Sequence, residues 1–460
     1  MALSAAEQYF LELINRARLD PAAEAARYGV DLNAGLDANA ITTSAKQVLA
    51  PNTQLETAAE GHARWMLEAD VFSHTGDNDS NPGARIVLAG YELSGRWSWR
   101  ENLAWYGSTA SIDLDAAIET HHAGLYRSAG HRVNTFADEI KELGIAQVPG
   151  RFTQDGITYN ASMAALKFAS SGTDVFITGV AYRDADGDDF YSIGEGQDGY
   201  WITGLGGSAT TQAAGGYALG VDPGDVAVTV GQGLQMLAQL VVDVEDGNGK
   251  LDIVTDAAGQ MTLDLSVSAE LVSGLSNARL LGVGHEDLTG NADDNVLIGN
   301  AGRNVLRGEA GNDELSGGQG ADQLLGGAGD DILMGGAGRD GLNAAETESE
   351  NADLLLGGAG DDTLKGFSGF DVLDGGAGDD ILTGGGGRDS FIFREGRDVV
   401  TDFADNVDQI TLETDLSIAD VLALGQVIGG DAVFDFGGGD VLILRDITDI
   451  DALGNDLLIV

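Results

Sequence analysis

An aspartate recurs every nine residues through much of the second half of the chain. The period begins near Gly290 and runs to Asn343, and it resumes from Gly357 to Ile392. Eleven units share the pattern, with Asn at the sixth position in the first two units and Asp in the other nine. Glycines at the first, second and fourth positions permit tight turns whose carbonyl groups point inward. Hard oxygen ligands crowded at one turn predict calcium sites.

The repeat also predicts how these ligands are stacked. The eighth position is apolar in every unit, and one unit cannot bury that residue, so units must stack in a coil of two units per turn. We therefore expect Asp322 to lie over Asp340 and Asp362 over Asp380, sharing ions between turns. An insertion of about four residues interrupts the period around 344–347. The predicted calcium ligands are Asp313, Asp322, Asp331, Asp340, Asp353, Asp362, Asp371, Asp380 and Asp389.

This segment resembles the RTX, or haemolysin-type, calcium-binding repeat, which implies a parallel β-roll over residues 284–392. Residues 393–460, ending in Leu457–Val460, are similar to the tail that caps such rolls in secreted serralysin-type proteins. In that family the uncleaved C-terminus is the export signal for type I secretion machinery. The resemblance thus implies a secreted, extracellular protein. One form of this hypothesis places the protein at the cell surface. The start of the chain shows no basic and apolar leader pattern, which fits this route.

The middle segment, residues 173–283, carries short β-prone runs separated by Gly and Asp turns, which predict a small β-sandwich. Within it, Asp184, Asp186, Asp188 and Glu195 stand at positions 1, 3, 5 and 12 of an EF-hand-like loop, although helices do not flank it. A calcium ion is one interpretation of this loop. A plain Asp-Gly turn is the other.

Three short stretches of the N-terminal region carry side chains that can do chemistry. They are Phe72–Gly76, Arg100–Ala104 and Ser128–Asn134, accompanied by Ala63–Met66, Arg85, Gly90–Tyr91 and Leu143–Ala146. In order and spacing these stretches resemble the CAP family, in its bacterial SCP-like branch. The resemblance covers roughly residues 5–172 and implies an α-β-α sandwich.

In that family a cleft holds two histidines and two acidic residues, sometimes with a divalent metal. By motif match His74, Glu101 and His131 take three of these positions, and Glu119 or His122 is the candidate for the fourth. Two imidazoles and a carboxylate can bind Zn²⁺ or another divalent ion, or serve acid–base chemistry. The alternative is that they only pin loops by hydrogen bonds. Nearby Trp97, Trp99 and Trp105 line the cleft or belong to the core.

Helical periodicity predicts the elements that position these groups. A capping box at Ser4 and Glu7 begins a helix that Asp20-Pro21 ends. Further amphipathic helices are predicted over 55–67 and 114–125, with a strand over 159–168. His62 lies at core spacing on the 55–67 helix, and we interpret it as structural.

Composition limits the function classes. The 460 residues include 69 glycines and no cysteine, and the net charge is −50. Disulfides are thereby excluded, and such an excess of acid disfavours nucleic acid and anionic membranes as partners. No apolar run is long enough for a membrane span. No His-Glu-x-x-His, Gly-x-Ser-x-Gly or phosphate-binding motif is present.

The sequence therefore predicts a multidomain protein. Its parts are a CAP-like α-β-α sandwich over residues 1–172, a β-sandwich spacer over 173–283, a calcium-binding β-roll over 284–392, and a β cap with secretion signal over 393–460. The favoured function is binding of an extracellular lipid, peptide or cell-wall ligand by the first domain. The alternatives are a hydrolase or protease that uses His74, Glu101 and His131, and a structural surface-layer or biofilm component.

Overall fold

The protein is described by a computed structural model that covers residues 3–245, 247–344 and 352–460. Its contacts divide the chain into two compact units, Met1–Val267 and Ser268–Val460. The domain boundaries expected from the sequence at residues 172, 283 and 392 remain predictions. Among the described residues, no helix is long and apolar enough to cross a membrane.

The N-terminal part of the first unit consists of helices packed on a sheet of order β1-β3-β4-β2, in which β4 pairs antiparallel with both β3 and β2. The helices are α1 Ala5–Leu19, α2 Pro21–Arg27, α3 Thr53–Glu68, α4 Pro82–Leu88, α5 Leu114–Arg127 and α6 Ala129–Thr135. The strands are β1 Ala50–Pro51, β2 Ser98–Ser108, β3 Glu142–Gln154 and β4 Ile157–Ser170.

Local sequence signals account for the ends of these helices. The predicted capping box of Ser4 and Glu7 begins α1, and Asp20 both ends α1 and caps α2, whose first residue is Pro21. The predicted helices over 55–67 and 114–125 and the strand over 159–168 are confirmed by α3, α5 and β4.

Alternate residues of β4 supply two cores. Leu166 and Phe168 pack with Phe10 and Leu13 of α1 and with Ile118 of α5. The intervening side chains of β4 pack instead on α3. This second core includes Ala161, Met163 and Ala165 of β4 and Ala59, Ala63 and Met66 of α3. Because neighbouring strand residues face opposite sides, helices cover both faces of the sheet. The predicted α-β-α sandwich is confirmed.

The rest of the first unit is a β-sandwich, as predicted. One sheet has the order β8-β5-β11-β12 and the other β7-β6-β9-β10. The strands are β5 Val175–Arg183, β6 Tyr200–Gly204, β7 Gly207–Thr210, β8 Gly216–Val221, β9 Asp225–Gln232, β10 Gln235–Asp243, β11 Gly249–Thr255 and β12 Met261–Leu265.

A buried ion cluster connects this sandwich to helix α1. Nζ of Lys250 on β11 lies 2.8 Å from Oε2 of Glu12 and also contacts Asp252. Gln8 donates to the other oxygen of Glu12 at 2.7 Å. All of these residues are nearly inaccessible to solvent. Their mutual pairing makes α1 and β11 parts of one core.

The second unit is a parallel β-roll, as predicted. Its strands alternate between two sheets, and the strands of each sheet are stacked in parallel register. They begin with β13 Ala269–Gly274, β14 Asn277–Leu280, β15 Leu288–Thr289, β16 Val296–Ile298, β17 Val305–Ala310, β18 Glu314–Gly320, β19 Gln323–Ala328, β20 Ile332–Gly338 and β21 Gly341–Asn343. They continue with β22 Leu354–Ala359, β23 Thr363–Gly369, β24 Val372–Ala377, β25 Ile381–Gly387 and β26 Ser390–Phe393.

The apolar eighth position forms the core of the roll. Leu324 pairs with Leu342, eighteen residues later, which confirms two repeat units per turn. Leu333 pairs with Leu355, twenty-two residues later, so the predicted insertion of about four residues is confirmed in the register. Residues 345–347 of that insertion lie outside the described residues. The eighth-position side chains from Leu297 to Phe391 are at most 1% exposed.

The C-terminal segment adds strands to both sheets of the roll. Strand β31 pairs in parallel with β27, and β32 pairs in parallel with β28. The elements are β27 Arg397–Val400, β28 Gln409–Leu412, α7 Ile418–Leu424, β29 Gly425–Ile428, β30 Asp431–Gly437, β31 Asp440–Leu444 and β32 Leu457–Ile459. The predicted β cap is thus continuous with the roll.

A close approach of helix α3 to strand β3 gives a test of the fold. A Cβ on Gly144 of β3 would lie 2.1 Å from the amide nitrogen of Glu56 in α3. We expect Gly144→Ala to lower the free energy of unfolding of the first unit by about 3 kcal/mol, the upper end for overpacked cores. Gly130→Ala is the control, because a Cβ there meets nothing within 4 Å. Chemical denaturation of both variants checks this, and equal stability would contradict the packing.

Candidate functional site

The sixth-position aspartates of the roll form two hydrogen-bonded rows. The amide of Asp322 donates to Oδ1 of Asp340 at 2.7 Å, and the amide of Asp362 donates to Oδ1 of Asp380 at 2.8 Å, so the predicted stacking is confirmed. One row contains Asn295, Asp313, Asp331, Asp353, Asp371, Asp389 and Asp408. The other contains Asn304, Asp322, Asp340, Asp362, Asp380 and Asp398.

The second carboxylate oxygen of these aspartates is buried without a hydrogen-bond partner among the described residues. This holds for Oδ2 of Asp313, Asp322, Asp331, Asp340, Asp353, Asp362, Asp371, Asp380 and Asp398. Each of these residues is at most 3% exposed. A buried polar group without a hydrogen-bond partner costs roughly 1–3 kcal/mol, and a charged group costs more. Such oxygens need a cation.

The first-position glycine of each unit leaves space for that cation. An ideal Cβ on Gly308 would lie 2.2 Å from Oδ2 of Asp313 and 2.5 Å from the carbonyl oxygen of Gly326, one turn later. A Cβ on Gly357 would likewise meet Oδ2 of Asp362 at 2.6 Å. Carboxylate and carbonyl oxygens therefore converge beside a space that only glycine leaves open. This all-oxygen donor set fits Ca²⁺.

Burial shifts the ionisation of the same carboxyls. Desolvation, reinforced by neighbouring aspartates, raises the pKa of Asp331, Asp362 and Asp371 to about 7. Burial also raises the pKa of Asp340 and Asp380. It raises the pKa to about 6 for Asp313, Asp322, Asp353 and Asp389. The rows therefore resist ionisation unless a cation balances their charge.

Asp398 belongs to the second row but was absent from the sequence prediction. Its Oδ1 accepts from the amide of Asp380 at 3.2 Å, and burial raises its pKa to about 8. Its unit keeps only Gly396 of the usual glycines, which hides the repeat. The remaining signal was the phase, because Val400 occupies the buried eighth position.

The acidic loop of the first unit brings three of its four predicted ligands together. Carboxylate oxygens of Asp184, Asp186 and Asp188 lie within 4.8 Å of one another. Glu195 is not part of this group: its oxygens accept from the amides of Ala185 and Ser192, at 2.8 Å each. Calcium binding by the three aspartates remains a prediction.

Glu101 is the centre of the N-terminal site. It lies on β2 directly opposite Lys167 of β4. Oε1 of Glu101 lies 2.7 Å from Nδ1 of His74, and Oε2 accepts from Nη2 of Arg85 at 2.8 Å. Nζ of Lys167 also contacts Oε2. The Glu101 side chain is only 2% exposed, and neighbouring side chains contact both of its carboxylate oxygens.

His74 and His131 are the groups of this site that remain available. Burial and the charges of Lys167 and Arg85 lower the pKa of His74, whose side chain is 58% exposed. Burial, with a contribution from His74, lowers the pKa of His131. Since Glu101 holds Nδ1 of His74, the second ring nitrogen of His74 is left for a ligand or substrate. Nδ1 of His131 is buried without a hydrogen-bond partner among the described residues.

Lys167 and Arg85 were not identified from sequence as partners of Glu101. Lys167 is 0% exposed, and burial and the nearby Arg85 lower its pKa. A lysine within the otherwise apolar run 163–169 of β4 was the available signal, because a buried lysine needs a carboxylate partner. Arg85 and Lys167 hold Glu101 as an orienting group for His74.

The site does not fit zinc as a preformed centre. Among the described residues, the one group of three or more His, Cys, Asp or Glu ligand atoms close enough for a shared ion is that of Asp184, Asp186 and Asp188. Catalytic zinc sites usually have three protein ligands. Because Glu101 is already bound by Arg85 and Lys167, His74 and His131 alone do not make such a set.

Neither candidate for a fourth member joins the site. Glu119 accepts from the hydroxyl of Tyr9, and Nε2 of His122 lies 2.8 Å from Oε1 of Glu24. Both contacts are with the α1–α2 region. The prediction of Glu119 or His122 as a cleft residue was therefore wrong, because α5 turns these side chains towards those helices.

The other predicted residues divide between core and surface. His62 is buried, stacks on Trp65 and contacts the carbonyl oxygen of Ser73 at 2.9 Å, as expected of a structural residue. Trp105 packs on Phe152 with ring centroids 4.9 Å apart, whereas Trp97 is 51% exposed.

Comparison with known proteins agrees with both halves of this description. The family model described as "Cysteine-rich secretory protein family", CAP, matches residues 11–160. The model described as "RTX calcium-binding nonapeptide repeat" matches 282–315, 289–324, 308–342, 349–369 and 365–400. The chain contains a CAP domain and RTX calcium-binding repeats.

Two solved structures match parts of this chain. An extracellular protein containing an SCP domain from Bacillus anthracis str. Ames is 18% identical, over 35% of this chain and 39% of that one, with a TM-score of 0.22. The extracellular lipase LipA from Serratia marcescens is 19% identical, over 42% of each chain, with a TM-score of 0.19. The match thus spans less than half of either structure. A search of curated proteins finds no match.

The RTX rows predict the effect of removing one charge. Asp362→Asn keeps an oxygen for the amide of Asp340 but removes the negative charge of the unpartnered oxygen. We expect fewer bound calcium ions and a higher calcium concentration at the folding midpoint of the second unit. Asp361→Asn is the matched control, because Asp361 is exposed and paired with Arg339. Native mass spectrometry and circular dichroism during calcium titration measure both, and equal behaviour of the variants would count against the site.

The raised pKa values predict an acid-stabilised calcium-free roll. Between about pH 4, the unfolded value, and pH 7 the folded carboxyls bind more protons than the unfolded chain. Stability without calcium is therefore fully present at acid pH and is lost as pH rises through the folded values of about 6 to 7. Circular dichroism in a chelator should show β structure increasing from about pH 8 to pH 5. A roll that unfolds on acidification over this range would contradict the assignment.

Proposed function

We propose that this chain is an extracellular, calcium-dependent protein whose CAP domain binds a lipid, peptide or cell-wall ligand. The observation that carries the calcium part is the double row of buried Oδ2 atoms without partners. The ligand part rests on the site formed by His74, Glu101 and His131, whose exposed group is His74.

Calcium supply supports the extracellular location. Extracellular modules bind calcium at roughly 10⁻⁴–10⁻³ M, far above cytosolic levels. Because metal binding to such a site is folding free energy, the roll would stay unfolded before export and fold outside. Passage through type I secretion machinery, directed by residues 393–460, is consistent with this order of events.

The pairing of Glu101 favours binding over catalysis. A carboxylate that holds His74 on one oxygen and Arg85 and Lys167 on the other is not free to exchange protons with a substrate. It serves instead to orient the imidazole. Exposed Phe72, two residues before His74, adds apolar surface next to it.

A hydrolase is the second candidate, supported by the same contact. A carboxylate on Nδ1 of a histidine fixes the tautomer that leaves Nε2 as a base, which is the orientation that nucleophilic hydrolases use. In that case His74 is the base.

One experiment on the full chain in calcium separates these functions. The protein is incubated with vesicles of zwitterionic phosphatidylcholine, a tryptic peptide pool and soluble peptidoglycan fragments, and retained and altered masses are recorded. His74→Ala is compared with His285→Ala, which removes an exposed histidine of the other unit. We expect retained masses that are lost only in His74→Ala, with no new products.

New product masses that require His74 would replace binding by the hydrolase. Absence of both retention and products from all three pools would contradict the proposed ligand site, whatever the calcium behaviour of the second unit.

A further inference from the structure

The sheet β7-β6-β9-β10 of the first unit is almost free of charged residues. Over residues 199–221 and 226–242 the chain has no Asp, Glu, Lys, Arg or His, although its net charge is −50. The charged residues of these four strands, Asp225 and Asp243, pair with each other at the end of the sheet farthest from the β9–β10 turn. The rest of this sheet is therefore an uncharged region of a strongly acidic protein.

Strand register places Trp201 in one row of side chains on the outer face of this sheet. Thr210, Trp201, Gly231 and Met236 are paired directly across β7, β6, β9 and β10. Directly paired residues share a face of a sheet, and Ile202, which follows Trp201, is 0% exposed in the sandwich core. The row of Trp201 therefore lies on the solvent side, where Met236 is 46% exposed.

The indole of Trp201 lies against the backbone of Gly231. A Cβ on Gly231 would clash with Cζ2 and Cε2 of Trp201, so only glycine leaves room for the ring at this point of β9. Nε1 of Trp201 donates to the carbonyl oxygen of Gly233 at 3.1 Å, which fixes the orientation of the ring. Because one side of the indole packs on the strand, the accessible part of this half-buried residue is its other side.

A second row on the same face consists of polar, uncharged side chains. Thr203 pairs with Ser208 on one side and with Thr229 on the other, and Thr229 pairs with Gln239. All four residues are exposed or half-buried. Their hydroxyl and amide groups both donate and accept hydrogen bonds. Since Thr203 follows Trp201 by two residues on β6, the two rows are about 7 Å apart.

An aromatic ring beside hydroxyl and amide groups matches the chemistry of a neutral sugar. A pyranose ring has an apolar C–H face that packs on an aromatic ring, and a rim of hydroxyl groups that donate and accept. Four strands at about 4.8 Å spacing make this face about 14 Å wide, so it can contact successive sugar units of one polymer. The acidic protein repels an anionic polymer, and a cationic polymer finds no carboxylate in the two rows. Charge complementarity therefore favours a neutral polymer.

We propose that this face of the β-sandwich binds a neutral polysaccharide. The sugar rings stack on Trp201, and their hydroxyl groups bond with the row of Thr203. The site shares no residue with His74, Glu101 and His131, so it does not rest on the proposed function of the CAP domain. The segment that separates the CAP domain from the roll thus has a binding role of its own.

Affinity electrophoresis of the full chain in calcium tests this face with four dissolved polysaccharides. Hydroxyethylcellulose, soluble starch and guar galactomannan are neutral, whereas carboxymethylcellulose carries carboxylates on the same backbone as hydroxyethylcellulose. We expect saturable retardation of the protein by at least one neutral polymer and no retardation by carboxymethylcellulose.

Two variants locate the binding. Trp201→Ala should raise the polymer concentration at half-maximal retardation at least tenfold, about 1.4 kcal/mol. Phe370→Ala is its control, because Phe370 is an aromatic residue that is 60% exposed in the second unit. Met236→Lys changes an exposed side chain and keeps Trp201, so it tests the face without removing the indole from the fold, and it should also weaken retardation. Val272→Lys, at a residue that is 50% exposed on β13, is the matched control.

Four results would overturn the proposal. They are retardation by none of the neutral polymers, equal retardation by carboxymethylcellulose and hydroxyethylcellulose, unchanged retardation in both Trp201→Ala and Met236→Lys, and loss of retardation in His74→Ala, which would place the sugar in the CAP domain. Sedimentation of the free protein adds one more: a dimer that dissociates in Met236→Lys, without any retardation, would assign this face to a second copy of the chain. Failure here leaves the retained masses that depend on His74 unaffected, so it is distinguishable from failure of the proposed function.

Discussion

For nine aspartates of the RTX roll, a backbone amide fixes one carboxylate oxygen, and the other oxygen is buried with no hydrogen-bond partner in the described chain. The stacked leucines of the eighth position favour closing the roll, because they lose all contact with water. The same closure brings like charges into rows and removes them from water. Above the raised pKa values of these carboxyls, folding of the second unit therefore depends on a cation that neutralises the rows.

In the first unit, some buried carboxylates are paired with basic side chains of the same unit. Glu101 is paired with Arg85 and Lys167, and Glu12 is paired with Lys250. These two buried carboxylates have a basic side chain of the same unit within reach, whereas buried Glu142 accepts from Tyr91 and Asn52 instead. The roll contains few basic residues, and those with described ion pairs reach acids outside the two rows, such as Asp361 for Arg339 and Asp374 for Arg394. The two units thus differ in where the positive charge for these carboxylates comes from, and the rows of the second unit are expected to need calcium.

Periodic features were predictable from the sequence, because residues at a fixed spacing take equivalent positions in a helix or a repeat. The coil of eighteen residues per turn, the stacking of Asp322 on Asp340 and the capped helix α1 all follow from local patterns. Contacts between distant segments were not predictable in this way. The pairing of Glu101 with Lys167 depends on the register of β2 and β4, and His122 faces Glu24 because of how α5 packs on α1. Asp398 was missed because its unit lacks most of the glycines that define the repeat.

The unpartnered aspartate oxygens of the roll are expected to be calcium ligands. Anomalous diffraction from crystals of the full chain grown in calcium would locate these ions. We expect two rows of calcium peaks along the roll, each beside an Oδ2 atom and the glycine carbonyl of the following turn, such as Asp313 with Gly326. A roll of this register without peaks beside these oxygens would contradict this expectation.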